Sequence, residues 1–258
     1  MLHRRGSMRG FVDLHSHWVS SIDDGARSTS EGIDLLRGLH DVGFSTVVAT
    51  PHMRPGMFEN DRSALVTAYE RMTAPLALAR ASGVALPDIY LASEHFFDDT
   101  VFHRLTHDEA LPYPGGGAAL VELPTETFPV RVAHRFLDLK RRSITPVLAH
   151  PERYKPVWND DRCLDPLLDA GAVLLLDVCA LVGKYGRASQ RAAEKLVQDD
   201  AYEAACSDAH RPADVEVVRV AIDRLIAMVG PDEAHRLLAD GPRRLLTLPG
   251  GTRPATLC

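Results

Sequence analysis

Hydrophobic positions along this chain fall into two alternating kinds of run. Short stretches rich in aliphatic and β-branched residues recur at Phe11–Leu14, Thr46–Thr50, Asp88–Ala92, Ala118–Leu123, Thr145–Ala149, Val173–Asp177 and Glu203–Cys206, and they read as strands. Longer stretches with helical character lie between most of them. Ser30–Val42 carries Ile33, Leu35, Leu36 and Leu39 on its apolar side and stops at Gly43, and Arg62–Ala81 ends at Ser82-Gly83. Further helices are expected at Val130–Arg141, Cys163–Ala170 and Ser189–Gln198, and over Ala213–Val229 and Asp232–Leu238 near the end.

Seven strand–helix repeats favour a parallel sheet, because parallel neighbours need a crossover connection. Two architectures satisfy that: a closed α/β barrel and an open doubly wound sheet. No G-x-G-x-x-G or G-x-x-x-x-G-K-[ST] follows any strand, so the usual nucleotide-binding signatures are absent. Gly115–Gly117 precedes a strand and reads as a loop.

Composition adds bounds to this picture. At 258 residues the chain has the size of a single α/β barrel, and 45% hydrophobic with 25% charged residues is the make-up of a soluble globular protein. No linker or composition shift divides it, so one domain is expected over 11–248, with a flexible extension over 1–10 and a tail over 249–258. A net charge of -6 argues against nucleic acid as a partner, so an anionic substrate must meet local arginines or metal ions. The cysteines Cys163, Cys179, Cys206 and Cys258 form no C-x-x-C pair and read as free thiols of a reducing compartment. No apolar run approaches the ~20 residues that span a bilayer, and no signal-peptide core follows the basic opening, in which Met8 offers an alternative start. A cytoplasmic protein without membrane insertion is expected; the oligomeric state cannot be read.

The informative pattern is where the metal-binding side chains fall. The first strand runs into His15-Ser16-His17, and residues i and i+2 of an extended segment share a face. Other strands end at Thr50-Pro51-His52, Ser93-Glu94-His95, Val121-Glu122, Ala149-His150-Pro151 and Ser207-Asp208-Ala209-His210, and Asp23-Asp24-Gly25 follows the first pair. In a barrel all strand C-termini open onto one face, so residues far apart in sequence converge there. Mixed imidazole and carboxylate donors suit Zn, Mn or Fe and suit Mg poorly. His3, His40, His103, His107, His134 and His235 lie in tails, helices or loops and are read as ordinary surface or hydrogen-bonded residues.

With these stretches the chain resembles the polymerase and histidinol phosphatase (PHP) superfamily, and within it the CpsB/CapC-type protein tyrosine phosphatases of bacterial capsule and exopolysaccharide operons. The likeness is carried by VDLHSH with IDDG, VVATPHMRPGMFEN, ALVELPTE, ITPVLAHPERY, CSDAH and DGPRRLL, spread over about Phe11–Leu246. The resemblance implies a distorted (β/α)7 TIM-like barrel with three divalent metal ions, of Mn, Fe or Zn type. One ion would take His15, His17, Glu94 and Asp208; a second would share Glu94 and add Glu122 and His150; a third would take Asp24, His52 and His210. Arg54 and Arg153 match family arginines that face the phosphate and join Glu94 and Asp208 in the expected catalytic set. Arg211 is a candidate third arginine. The chain departs from the family at Ser20-Ser21 before IDDG, at Ser93 and His95 around Glu94, and in the short loop after His210.

The chemistry implied is hydrolysis by water activated between two ions about 3.5–4 Å apart, with arginine neutralising the phosphoryl oxygens. The cysteine route fails on spacing: Cys206 has Arg211 five positions on, one short of C-x-x-x-x-x-R. The resemblance further implies phosphotyrosine on a protein as substrate, namely the tail of a cytoplasmic kinase regulating polysaccharide export. A small-molecule phosphatase of the histidinol-phosphate type is the competing enzyme. A non-catalytic module that docks phosphoproteins is the competitor from another class.

Overall fold

The computed structural model describes residues 8–250. Its strands are β1 (Phe11–Ser16), β2 (Phe44–Ala49), β3 (His52–Met53), β4 (Asp88–Leu91), β5 (Glu94–Phe96), β6 (Ala118–Glu122), β7 (Thr145–Ala149), β8 (Val173–Asp177) and β9 (Tyr202–Cys206). The helices between and after them are α1 (Thr29–Val42), α2 (Arg62–Ala81), α3 (Asp99–Thr106), α4 (Val132–Arg141), α5 (Lys155–Asn159), α6 (Asp165–Asp169), α7 (Arg187–Gln198), α8 (Asp214–Val229), α9 (Pro231–His235) and α10 (Gly241–Thr247).

All strand pairs are parallel, in a sheet β1-β2-β4 and a sheet β3-β5-β6-β7-β8-β9. The split has a local cause. β3 resumes the line of β2 after Thr50-Pro51, and β5 resumes that of β4 after Ala92-Ser93. Pro51 has no N–H for a ladder, and its carbonyl instead accepts from Glu94 N at 3.2 Å and Ser93 Oγ at 2.8 Å. Counted through these breaks, seven strand positions follow one another in chain order around a barrel. The ring closes only at its C-terminal rim, where Asp208 N donates to His15 O (3.0 Å) and His17 N to Ala209 O (2.9 Å). The expected distorted (β/α)7 barrel is therefore present, with an incompletely closed sheet.

Two layers of apolar packing hold it. Val12, Leu14, Val48, Leu120, Val147, Leu175 and Ala204 fill the interior, capped by Tyr113, whose hydroxyl donates to Leu14 O at 3.0 Å. The opposite strand faces, such as Phe44, Val47 and Leu176, pack against Leu35, Leu36 and Leu39 of α1, Phe136 of α4, Leu196 of α7 and Val218 of α8. Each such side chain contributes about 1.5–3 kcal/mol by leaving water.

The helix over Cys163–Ala170 is shorter than expected. Pro166 fits only the first turn of a helix, so α6 begins at Asp165 and a 3-10 turn occupies Asp161–Leu164. The helix expected from Val130 begins at Val132, leaving Val130 fully exposed. Most of the expected N-terminal extension and C-terminal tail, residues 1–7 and 251–258, together with His3 and Cys258, lies outside the described residues. Of the remainder, Gly10 donates to Gly43 O and Gly250 to Gly115 O, each at 3.0 Å. Among the described residues no helix is long and apolar enough to cross a membrane.

Candidate metal centre

β1 and the residue after it present His15 and His17 to the barrel interior through an irregularity. Asp13 pairs with Val47 and Ser16 with Ala49, so one extra residue sits on β1 between them. A bulge of this kind reverses the alternation locally, letting Leu14 and His15 both face inward and His17 follow on the same side. His150, directly after β7, and Asp208, two residues after β9, have φ of 39° and 43°, left-handed values costing about 1–3 kcal/mol each outside glycine. Both residues carry donors of the cluster. Gly25 is required by a close approach: a Cβ there would lie 2.1 Å from His17 O.

The donor atoms lie close together. His15 Nε2 is 3.1 Å from His17 Nε2, 3.1 Å from Glu94 Oε2 and 3.2 Å from Asp208 Oδ1. His17 Nε2 is 3.4 Å from each of the same two carboxylate oxygens. Glu94 turns its other oxygen to His150 Nε2 at 3.1 Å, while Asp24 Oδ1 stands 3.4 Å from His52 Nε2 and 3.5 Å from His210 Nε2. Four overlapping groups result: His17, Asp24, His52 and His210; His15, His17 and Asp208; His15, Glu94 and His150; and His52, Glu94 and Glu122. All nine donor residues expected from sequence are among them. His52 does more than expected, with Nε2 toward Asp24 and Nδ1 3.1 Å from Glu94 Oε2.

These spacings test whether the cluster suits metal. Donors about 2.0–2.2 Å from a common ion stand roughly 3.0–3.5 Å from one another. Asp208 Oδ1 and His52 Nδ1 are buried and crowded by other donors, yet neither makes a hydrogen bond. Lone pairs aimed at a shared point, and not at each other's protons, produce that geometry. The residues fit a group of cations.

Electrostatics agree. Burial favours neutral imidazoles, but Asp208 and Glu94 outweigh it and raise the pKa of His15. His17 is raised well above its ordinary value, against burial, by Asp23, Asp208 and Glu94. Burial alone would raise Glu94 and Asp208, yet the imidazoles, with Arg153 beside Asp208, hold both well below the carboxylate range. Glu122 is pushed up by burial and by Glu94. His150 falls to about 4 through burial and the neighbouring Arg153, leaving the neutral imidazole a metal needs. Without cations, protons must balance these carboxylates.

The expected phosphate-facing arginines stand at the rim. Arg54 lies over the Phe96 ring at 4.1 Å with Nη1 3.9 Å from Glu122, and Arg153 donates to Asp208 Oδ2 at 2.5 Å. Arg211 binds Glu31 (3.3 Å) and the Asp24 carbonyl (3.2 Å), so its guanidinium braces the loop carrying Asp24. Sequence reasoning noted Asp23 only within the Asp23-Asp24-Gly25 turn and gave it no role; its carboxylate meets His17 Nδ1 at 2.8 Å and accepts from His52 N at 3.0 Å. Sequence reasoning missed Asp177 at the end of β8, 3.7 Å from Arg153. Asp23 sits beside Asp24 in an ordinary turn motif that does not show which carboxylate orients an imidazole, and Asp177 stands alone without a second ligand type. His95 points away from the cluster, with Nδ1 2.7 Å from Leu120 O.

The sequence model of the family described as "Capsular polysaccharide synthesis, CpsB/CapC" matches residues 11–247. The chain belongs to the CpsB/CapC family. Among similar proteins, the tyrosine-protein phosphatase YwqE of Bacillus subtilis is 27% identical over 201 residues, 77% of each chain. The tyrosine-protein phosphatase CpsB of Streptococcus pneumoniae is 25% identical over 246 residues, covering 91% of this chain and 98% of that one. One chain from the crystal structures of YwqE from Bacillus subtilis and CpsB from Streptococcus pneumoniae, described as unique metal-dependent tyrosine phosphatases, superposes with a TM-score of 0.83 at 23% identity. It covers 95% of this chain and 99% of that one, and establishes that this CpsB/CapC member shares their fold.

Among the described residues no cysteine takes part in the cluster. Cys206 is buried with its thiol 3.3 Å from Leu176 O, and burial raises its pKa well above the usual thiol value. Cys179 is raised likewise by burial and Asp177, and Cys163 to about 11 by burial and nearby aspartates. Thiols held protonated are poor nucleophiles.

Proposed function

We propose that this chain is a metal-dependent phosphatase that hydrolyses phosphotyrosine on a protein, the tail of a bacterial tyrosine kinase controlling capsule or exopolysaccharide synthesis. The observation that supports it most is the convergence of nine imidazole and carboxylate residues from strand ends and the adjoining loops, with donor spacings of 3.1–3.5 Å. His15, His17, Glu94 and Asp208 would hold one ion; Glu94, Glu122 and His150 a second; Asp24, His52 and His210 a third. When bound, Mn, Fe or Zn supplies positive charge and lowers the pKa of water toward neutrality.

The chain's own residues do the rest. Glu94, with one oxygen toward His15 and the other toward His150, is placed to span two of these positions. Asp208 receives Arg153 on Oδ2 and leaves Oδ1 to the histidines, so one carboxylate fixes the arginine relative to the cluster. Arg153 retains further guanidinium donors for phosphoryl oxygens, and Arg54 brings a second fork to the opposite rim. A phenolate leaves readily, so tyrosine phosphate asks little of a general acid. The names of the relatives support tyrosine phosphate and a capsule-related role.

The test is activity on a phosphotyrosine peptide after chelation and, separately, after thiol alkylation, beside histidinol phosphate. Chelation abolishes turnover, added Mn or Zn restores it, alkylation spares it, and the peptide is preferred. Activity that survives chelation but dies on alkylation would overturn the reading.

A further inference from the structure

A cleft of about 240 Å³ opens beside the metal centre, lined by Thr125, Arg153, Lys155, Trp158 and Tyr185. Three connections build it: the loop after β6 supplies Thr125, the segment after β7 supplies Arg153, Lys155 and Trp158, and the loop after β8 supplies Tyr185. Arg153 joins cleft to centre, since its guanidinium bonds Asp208 and also lies 4.5 Å above the Tyr185 ring. Trp158 is 38% exposed, and its Nε1 donates to Glu152 O at 2.7 Å, which fixes the plane of the indole. At the rim, Lys155 pairs with Glu126 at 2.7 Å.

Resting on the phosphotyrosine reading, we propose that this cleft is the subsite for the aromatic ring of the substrate, with Trp158 as its platform and Arg153 shared between ring and phosphate. Size supports this: a cavity of about 150 Å³ accepts benzene, so this cleft has room for a phenol ring with its Cβ. The chemistry also fits. The Trp158 indole beside Arg153 and Lys155, with the Tyr185 ring already covered by Arg153, favours an aromatic ring bearing an anion, and not an alkyl chain. Position follows from covalent structure, because a phosphate held by Arg153 leaves the ring one ester oxygen away. The aromatic rings on the other side of the mouth are already engaged. Phe58 stacks on His52 with ring centroids 5.2 Å apart and planes 6° from parallel, and Phe96 is covered by Arg54. Among the described residues no aromatic ring packs on Trp158.

The chain has two tryptophans, and Trp18 is fully buried away from solvent, so a ligand-induced change is assigned to Trp158 by its loss in a variant. Titrating metal-loaded protein with phenylphosphonate should give a saturable fluorescence change that disappears in Trp158→Phe. In steady state, Trp158→Ala should lower the ratio of kcat/KM for phenyl phosphate over glycerol phosphate roughly three- to tenfold, as loss of an aromatic pair predicts. Trp158→Phe, which keeps a ring, should retain most of the ratio. Turnover of both phosphates with no fluorescence change and an unaltered ratio in Trp158→Ala would overturn the subsite and leave the phosphatase reading standing. A saturable change in protein that hydrolyses neither phosphate would do the reverse.

Discussion

Asp23 shows how much of the site depends on residues that touch no ion position directly. Its carboxylate fixes the His17 ring from behind, at Nδ1, so that Nε2 points at Glu94 and Asp208. The same carboxylate holds the backbone of His52 and of Gly25, tying two donor-bearing segments to one side chain. Carboxylates behind metal-binding histidines set tautomer and basicity, and their loss typically costs 10–100-fold in affinity. Asp23→Asn removes the charge; its single oxygen can keep the His17 and His52 contacts of Oδ2, while the Gly25 N–H loses its acceptor Oδ1. It should weaken Mn or Zn binding by roughly that factor while lowering the stability of metal-free protein by only about 1 kcal/mol, for the one lost bond. Competition with a chromophoric chelator measures the affinity, and an unaltered value would show that Asp23 only shapes the loop. The donors other than Asp24 were legible because each combines a ligand type with a strand end. Their orienting partners were not, because an aspartate in a turn looks the same whether it faces solvent or an imidazole.

At the scale of elements, the seven strand positions and the long helices were legible from periodicity. The breaks after β2 and β4 were not, because a run of apolar residues does not show where the ladder changes partner. The short helices α3, α5 and α10 have too few turns to display a period. A buried tie between elements was equally hidden. Glu152, in the AHPERY stretch, accepts from Asp177 N at the end of β8 (3.0 Å) and meets Tyr202 Oη of β9 at 2.9 Å. It is fully buried, and burial with the nearby Asp177 pushes its pKa up to about 8. The sign follows from linkage: a carboxyl whose folded value exceeds its unfolded one contributes stability that is fully present below the unfolded pKa. That contribution is lost as pH rises through the folded value. Stability should therefore decline between about pH 5 and 8 by a few kcal/mol from this group. Glu152→Gln, which cannot ionise, should flatten that slope in urea melts across the window. A slope equal to that of the parent protein would remove Glu152 from the account.

For the molecule as a whole, the open seam between β1 and β9 and the metal centre are the same region. His15 lies in β1 and His17 just after it, and Asp208 and His210 lie just after β9, so ions held by these side chains would pin the two edges together. Without ions, closure depends on the two rim bonds and on Asp13, whose carboxylate accepts from Ser207 N at 3.0 Å and Ser207 Oγ at 2.5 Å. A ligand that binds only the folded state stabilises it by about 2.7 kcal/mol at a hundredfold excess over Kd. For a chain of this size each kcal/mol moves Tm by roughly 2–4 °C, so emptying even one site should lower Tm by roughly 5–10 °C. The loss should be uneven. Amide exchange on chelation should accelerate at His17 and Asp208, whose N–H groups make the rim bonds, well before it does in the β6–β7 ladder, which is continuous from Ala118 to Val121. Hydrogen exchange with and without chelator separates the cases. Uniform acceleration would mean that the ions stabilise the barrel only globally, and no acceleration would mean that the seam is closed by the polypeptide alone.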